Sequence, residues 1–288
     1  MRTSDQPAAE KVKCSKDKQL YSGSLIMAFL LLLSCGMQKV TQNAIPKDKD
    51  DFHIFILMGQ SNMSGYGTLQ NDDSLPVPHV FKLPTIYTGP LRWEPAAHPL
   101  HNRLQSDRFG LGLPFAKAYL SHHKNVTVGL LPLAFGGAGI DQLKKGTPVY
   151  DDFLKKLAVA QKSGVIKGLL WHQGESDTVD EEKADSYAQK LFQLIQDVRK
   201  DVGNPELPVV VGNLAEFYGT SKEHNQPDRV ARINKVRQAL RSVPLKIPNT
   251  AFVETTGCTS IDQHYVHFDR SSYIVLGKRY FEAFSKLK

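Results

Sequence analysis

Cysteine is scarce in this chain. Cys14, Cys35 and Cys258 are all that occur among 288 residues, too few for the disulfide framework that staples small secreted domains. Long apolar runs are lacking as well. The nine residues Leu25–Leu33, LIMAFLLLL, fall short of the ~20 that a membrane-crossing helix needs. No internal repeat or low-complexity tract is present, which excludes solenoid and fibrous architectures. Basic clusters are missing too. The formal charge is +7, but Lys and Arg are scattered, so the footprint of a nucleic-acid-binding surface is not there. What remains is the composition of a soluble globular protein with enough apolar residues for a core.

The apolar run at 25–33 does have the length of a signal-peptide core. It ends in Leu32-Leu33-Ser34-Cys35-Gly36, which resembles a bacterial lipobox with Cys35 as the lipidated residue. Residues 1–24 are long and mixed in charge for such a leader, so a start at Met27 or an atypical leader are alternatives, as is a short helix in a cytoplasmic protein. The reading adopted is an exported, lipid-anchored protein touching the membrane through that anchor alone: leader 1–35, polar Lys/Asp-rich tether 36–51, folded domain 52–288. Cys14 then leaves with the leader and Cys258 has no partner.

From residue 52 the pattern alternates. Apolar runs at 52–58, 126–134, 165–171, 207–214 and 250–254 read as buried strands, and amphipathic stretches near 112–123, 150–163, 180–201, 228–242 and 270–287 read as helices. In the 180–201 stretch Tyr187, Leu191, Leu194, Ile195 and Val198 recur at helical steps. Strands apolar throughout and separated by helices predict a five-stranded parallel sheet covered on both faces, a three-layer α/β domain. Ligands of such sheets bind beyond the carboxyl ends of the strands.

Those ends are unusually polar. The first strand leaves through Gly59-Gln60-Ser61-Asn62, which either turns and caps the chain or holds a serine hydroxyl up as a nucleophile. The second ends in Phe135-Gly136-Gly137-Ala138-Gly139, where backbone N–H groups can face a ligand. The third runs into Trp171-His172-Gln173-Gly174-Glu175-Ser176-Asp177, and the last precedes Asp262-Gln263-His264-Tyr265-Val266-His267. Serine, glycines, amide and histidine at one sheet edge are the inventory of acyl transfer: nucleophile, oxyanion donors and base.

GQSNM, FGGAGI, WHQGESD and a His-Phe before the last helix, in this order, resemble the SGNH hydrolases, and within them the carbohydrate acetylesterases that include acetylxylan esterases and sialate O-acetylesterases. The resemblance covers about 52–286. It implies a flavodoxin-like fold and an acyl-enzyme mechanism without metal or organic cofactor. Position by position, it implies Ser61 as nucleophile and, through its N–H, an oxyanion donor. It implies Gly137 as a second donor with Gly136 as fallback, Gln173 as the amide of the oxyanion site, and His267 as base. The implied substrate is an acetylated carbohydrate.

The sequence departs from that pattern at His264, where relatives carry an aspartate three residues before the histidine. Glu175 is the first candidate for the missing carboxylate and Asp262 the second; the third alternative is a Ser61–His267 pair working without an acid. His264, His267 and Asp269 also form H-x-x-H-x-D, but no second cluster completes a metal site. The proline-rich stretch 66–108 reads as a binding wall. There Trp93 and Tyr87 are placed to stack on sugar rings and Arg92 or Arg108 to meet a carboxylate, with Gln60 and Asn62 beside the serine; packing onto the domain is the plain alternative for each. A rival function remains, an exported carbohydrate-binding lipoprotein whose catalysis has decayed. Oligomeric state is not legible.

Overall fold

The first apolar run, with nothing but His53 reaching the surface, becomes the middle of a sheet. A computed structural model describes residues 44–288. The leader, Cys14, Cys35 and most of the tether lie outside the described residues. The elements are β1 (Phe52–Gly59), α1 (Ser61–Ser64), β2 (Val80–Lys82), β3 (Glu94–Pro95), α2 (Gly112–His122), β4 (Thr127–Ala134), α3 (Pro148–Ser163), β5 (Val165–His172), α4 (Glu181–Val202), β6 (Val209–Gly212), α5 (Pro227–Lys246), β7 (Thr250–Val253) and α6 (Arg270–Phe284).

The strands form one sheet in the order β3-β2-β4-β1-β5-β6-β7. The five expected strands are all present and all parallel. The strand count, however, is seven. β2 lies parallel on the outer edge of β4 and β3 antiparallel on β2. At three and two residues, inside the proline-rich segment, they are too short to show a period in the sequence.

Two groups of helices cover opposite faces. Phe55 points toward α2 and α6, with the rings of Phe115 and Phe284 at 4.9 and 5.2 Å. Met58, three residues on and therefore on the other face, is in register with Trp171, whose indole reaches Tyr187 of α4 at 3.3 Å. All five periodic residues of α4 named above are buried there. The helices begin where side chains satisfy their free N–H groups: Thr147 caps α3, Asp180 caps α4 and Asp269 caps α6.

β1 has β4 on one side and β5 on the other, so successive crossovers leave it in opposite directions. That is a topological switch point, the place where sheets of this kind bind ligands, and it lies beyond Gly59, Ala134 and His172, which are in register. At the other end of β1, the residues just before the strand form a short turn. Asp48 caps a short 3-10 turn over Lys49–Asp51, and the Lys49 ammonium donates to Gln161 O at 3.0 Å.

Candidate active site

The turn out of β1 is shaped by a glycine that nothing else can replace. Gly59 has φ +156°, and a Cβ there would run into the carbonyl of His172. The next N–H, of Gln60, donates to that same carbonyl at 3.1 Å. The chain then enters α1 with Ser61 as its first residue. Gln60, expected against substrate, is buried instead. Its Oε1 accepts from Gln173 Nε2 at 3.0 Å and from the N–H groups of Gly174 and Ser176, both at 3.3 Å. It ties the serine turn to the loop after β5.

His267 arrives on a loop that doubles back on itself. Ser260 and Phe268 form an antiparallel bridge, Ile261 N donates to His267 O at 3.0 Å, and Tyr265 at the tip takes φ +54°. This fold-back brings Asp262, five residues upstream, beside the imidazole. Asp262 Oδ1 accepts from the N–H groups of His264 and Tyr265, each at 3.1 Å, while Oδ2 lies 3.5 Å from His267 Nδ1. On the other side of the ring, Nε2 lies 3.0 Å from Ser61 Oγ. The ring of Tyr66 stacks on the imidazole at 3.8 Å and 10°, with its hydroxyl 2.9 Å from Ser106 Oγ. Tyr66 was missed in the sequence because no motif marks it. Burial pushes the His267 pKa below its ordinary value, and the Asp262 carboxylate pulls the other way. The net direction is down, which favours the neutral imidazole.

Glu175, the first candidate for the carboxylate, has no hydrogen bond to His267. Its Oε1 accepts from Asn62 Nδ2 at 2.6 Å, and burial raises its pKa against the pull of that bond. Asn62 in turn is fully buried and touches no open surface that a substrate could use. Gln173 is corrected in the same way. Its Nε2 faces Gln60 Oε1, Ala138 O at 3.1 Å and Asp177 Oδ2 at 2.5 Å, so both its N–H groups are taken and none is left for an oxyanion. Asp177 also accepts from Ile140 N, which pins the glycine loop after β4. A motif made almost wholly of polar residues thus serves mainly to bond one loop to another.

Gly137 stands exposed at φ +75° with open space where a Cβ would be, and its carbonyl accepts from Ser176 Oγ at 2.8 Å. Neither its N–H nor that of Ser61 meets an acceptor among the described residues. Gly136 is hemmed in: a Cβ there would come within 2.7 Å of Leu104. Arg108 lies close by, its N–H donating to Gly65 O at 2.9 Å. Its exposed guanidinium bonds to the carbonyls of Gln105 and Asp107. Trp93 does not belong to the site, and Arg92, the residue before it, is exposed. Trp93 packs edge-on against Phe52 at 4.7 Å and donates to Ser163 Oγ at 2.9 Å, at the opposite end of β1, roughly 25 Å of strand from Ser61. Tyr87 bonds Asp152 of α3. His264 turns to Glu223 at 3.3 Å, and among the described residues no group of three His, Cys, Asp or Glu is placed to hold a metal.

A doubly wound sheet that presents this alignment at its switch point defines a class, the carboxylic ester hydrolases. Comparison with known proteins narrows it. Residues 51–286 match the family described as carbohydrate esterase, sialic acid-specific acetylesterase, and the chain belongs to that family. It is 31% identical over 252 residues to a protein of Arabidopsis thaliana named "probable carbohydrate esterase", covering 82% of this chain and 90% of that one. A crystal structure of that plant protein superposes with a TM-score of 0.69 at 28% identity, over 81% of this chain and 98% of the other. NanS shares the fold with a TM-score of 0.64 at 15% identity, over 83% and 98% of the two chains. So does a carbohydrate acetylesterase from Xanthomonas citri, with 0.58 at 22% identity over 82% of this chain and 56% of that one.

Proposed function

We propose that this chain is a carbohydrate O-acetylesterase that works through an acyl-enzyme on Ser61. The observation that carries the reading is the 3.0 Å approach of His267 Nε2 to Ser61 Oγ, with Asp262 on the far nitrogen. Nδ1–H donates to Asp262, which leaves the Nε2 lone pair to accept from the serine hydroxyl. His267 takes that proton as Oγ bonds to the acetyl carbon. The carbonyl oxygen, now negative, meets the N–H groups of Ser61 and Gly137. When the tetrahedral intermediate collapses, the carbon–oxygen bond to the sugar breaks and Nε2–H protonates the departing sugar oxygen. Water then repeats the sequence on the acetyl-serine and releases acetate. Tyr66 holds the plane of the imidazole throughout.

The family description supports an acidic sugar, O-acetylated sialic acid, over a neutral acetylated xylan, and the exposed guanidinium of Arg108, a residue whose backbone N–H is bonded to Gly65 O, is the cation to meet its carboxylate. The lipobox-like LLSCG supports an exported, Cys35-anchored chain. The test is acetate release from O-acetylated sialic acid, acetylated xylo-oligosaccharide and p-nitrophenyl acetate by wild type and Ser61→Ala. Turnover lost in Ser61→Ala on all three is expected, as is an Arg108→Ala defect of about tenfold in kcat/KM on the sialic acid alone. Turnover that survives Ser61→Ala refutes the mechanism, and equal Arg108→Ala losses on all three refute the substrate assignment.

A further inference from the structure

The nucleophile and the base come from opposite ends of the domain, and hydrogen bonds to one amide join them. Asn62 follows Ser61 directly. Its Nδ2 donates to Val266 O at 3.0 Å and its Oδ1 accepts from Phe268 N at 3.4 Å. Val266 and Phe268 are the residues on either side of His267. The remaining donor of the amide goes to Glu175 Oε1 at 2.6 Å, and the remaining acceptor site takes the hydroxyl of Tyr273 at 2.9 Å. Two donors and two acceptors are thus all used, in a side chain with no solvent exposure.

We infer that Asn62 is a positioning residue that sets His267 against Ser61, and that Glu175 is the group that orients Asn62. This role rests on the Ser61–His267 reading and accounts for a carboxylate which that reading leaves idle. An amide can be turned end for end. Turned, its oxygen would face the carbonyl of Val266 and its nitrogen the N–H of Phe268, and both bonds to the histidine loop would be lost. A carboxylate accepts and does not donate, so Glu175 fixes the orientation in which both bonds form. Tyr273, whose hydroxyl can donate to Oδ1 while accepting from Tyr66 N at 3.2 Å, extends the same brace to the ring that stacks on His267. α1 is a single turn without a side-chain cap, and the loop of His267 is a narrow fold-back. Neither element would hold a position to a fraction of an ångström alone, and misplacement by about 1 Å can cost 100-fold.

The experiment compares Asn62→Ala, Glu175→Gln and Glu175→Leu in the full chain with p-nitrophenyl acetate, alongside labelling of Ser61 by a fluorophosphonate and thermal unfolding. Folded Asn62→Ala should lose roughly 100-fold in kcat with KM within about threefold. Its acid limb of kcat/KM should move to lower pH as His267 slips from Asp262. Gln at 175 still offers an acceptor, so Glu175→Gln should stay within about fivefold of wild type, while Glu175→Leu, which offers none, should fall by at least tenfold more. Should Asn62→Ala fail to fold, the pair at 175 carries the test. Asn62→Ala within about threefold of wild-type kcat overturns the inference. So does a Glu175→Gln defect as deep as that of Glu175→Leu, the behaviour of a triad acid. Wild type that fluorophosphonate does not label at Ser61 sinks the serine mechanism itself, whereas labelled wild type with an unimpaired Asn62→Ala sinks the positioning role alone.

Discussion

Replacing Asp262 by alanine and by asparagine should give two different enzymes, and the smaller change should be the worse one. Asp262 Oδ1 is held by the N–H groups of His264 and Tyr265, so asparagine would keep its oxygen there and turn its NH2 toward His267 Nδ1. That donor forces the proton onto Nε2, where it blocks acceptance from Ser61, a change that costs on the order of 10,000-fold in a buried triad. Alanine removes the carboxylate without imposing a tautomer. Unit charges about 4 Å apart interact by about 4 kcal/mol at an effective dielectric of ~20. The Asp262 side chain is 31% exposed, which halves the figure to about 2 kcal/mol, or roughly 30-fold in rate.

The expected order of kcat is therefore wild type, then Asp262→Ala lower by about 30-fold, then Asp262→Asn at least tenfold lower still. The pH dependence has a fixed sign as well. The carboxylate raises the His267 pKa against burial, so without it the pKa falls further, and the acid limb of kcat/KM in Asp262→Ala moves to lower pH. Steady-state hydrolysis of p-nitrophenyl acetate between about pH 4 and 9 reads both quantities. An asparagine variant as active as the alanine one, or an acid limb that moves up, would refute the assignment of Asp262.

Gly137→Ala should lower kcat by about 10- to 100-fold, because leaving φ +75° re-aims the exposed N–H; thermal unfolding should show a loss of about 1–2 kcal/mol. Gln173→Leu should cost stability first, since Gln60 Oε1, Ala138 O and Asp177 would each lose a buried donor; a fall of several degrees in Tm is expected. Its kcat/KM, measured at a temperature where it stays folded, should change far less than that of Gly137→Ala. Trp93→Ala should lower Tm through lost packing on Phe52 while leaving KM for acetylated sugars unchanged; a raised KM would return Trp93 to the binding wall.

The five parallel strands could be read because each is a continuous apolar run, and their polar ends pointed to one edge without any knowledge of pairing. Ser61 and His267 were legible for that reason and for the motifs around them. Asp262 was harder. Its approach to His267 depends on the bridge between Ser260 and Phe268 and on the left-handed Tyr265, neither of which leaves a periodic trace. Gln60, Asn62, Gln173 and Glu175 misled for a shared cause. A polar residue near a candidate nucleophile looks like a site group, whether a substrate contact, an oxyanion amide or a triad acid, yet here each is buried and its bonds go to other loops. Trp93 misled differently. The segment 66–108 starts and ends beside Gly65 but travels to the far pole of the sheet in between, and nothing local in its prolines encodes that excursion.

Ser61 and His267 are 206 residues apart in sequence, and β1 and α6 are the first and last major elements of the described domain. Closing so long a loop is slow relative to forming helices and neighbouring strand pairs. Ester hydrolysis should consequently be among the last properties to appear during refolding, well after the far-ultraviolet circular dichroism has recovered. A chain still being synthesised would carry Ser61 before His267 is there to face it. With Ser61 and His267 as the proposed reacting pair, activity would be a gauge of completed folding, silent until the C-terminal helix has docked.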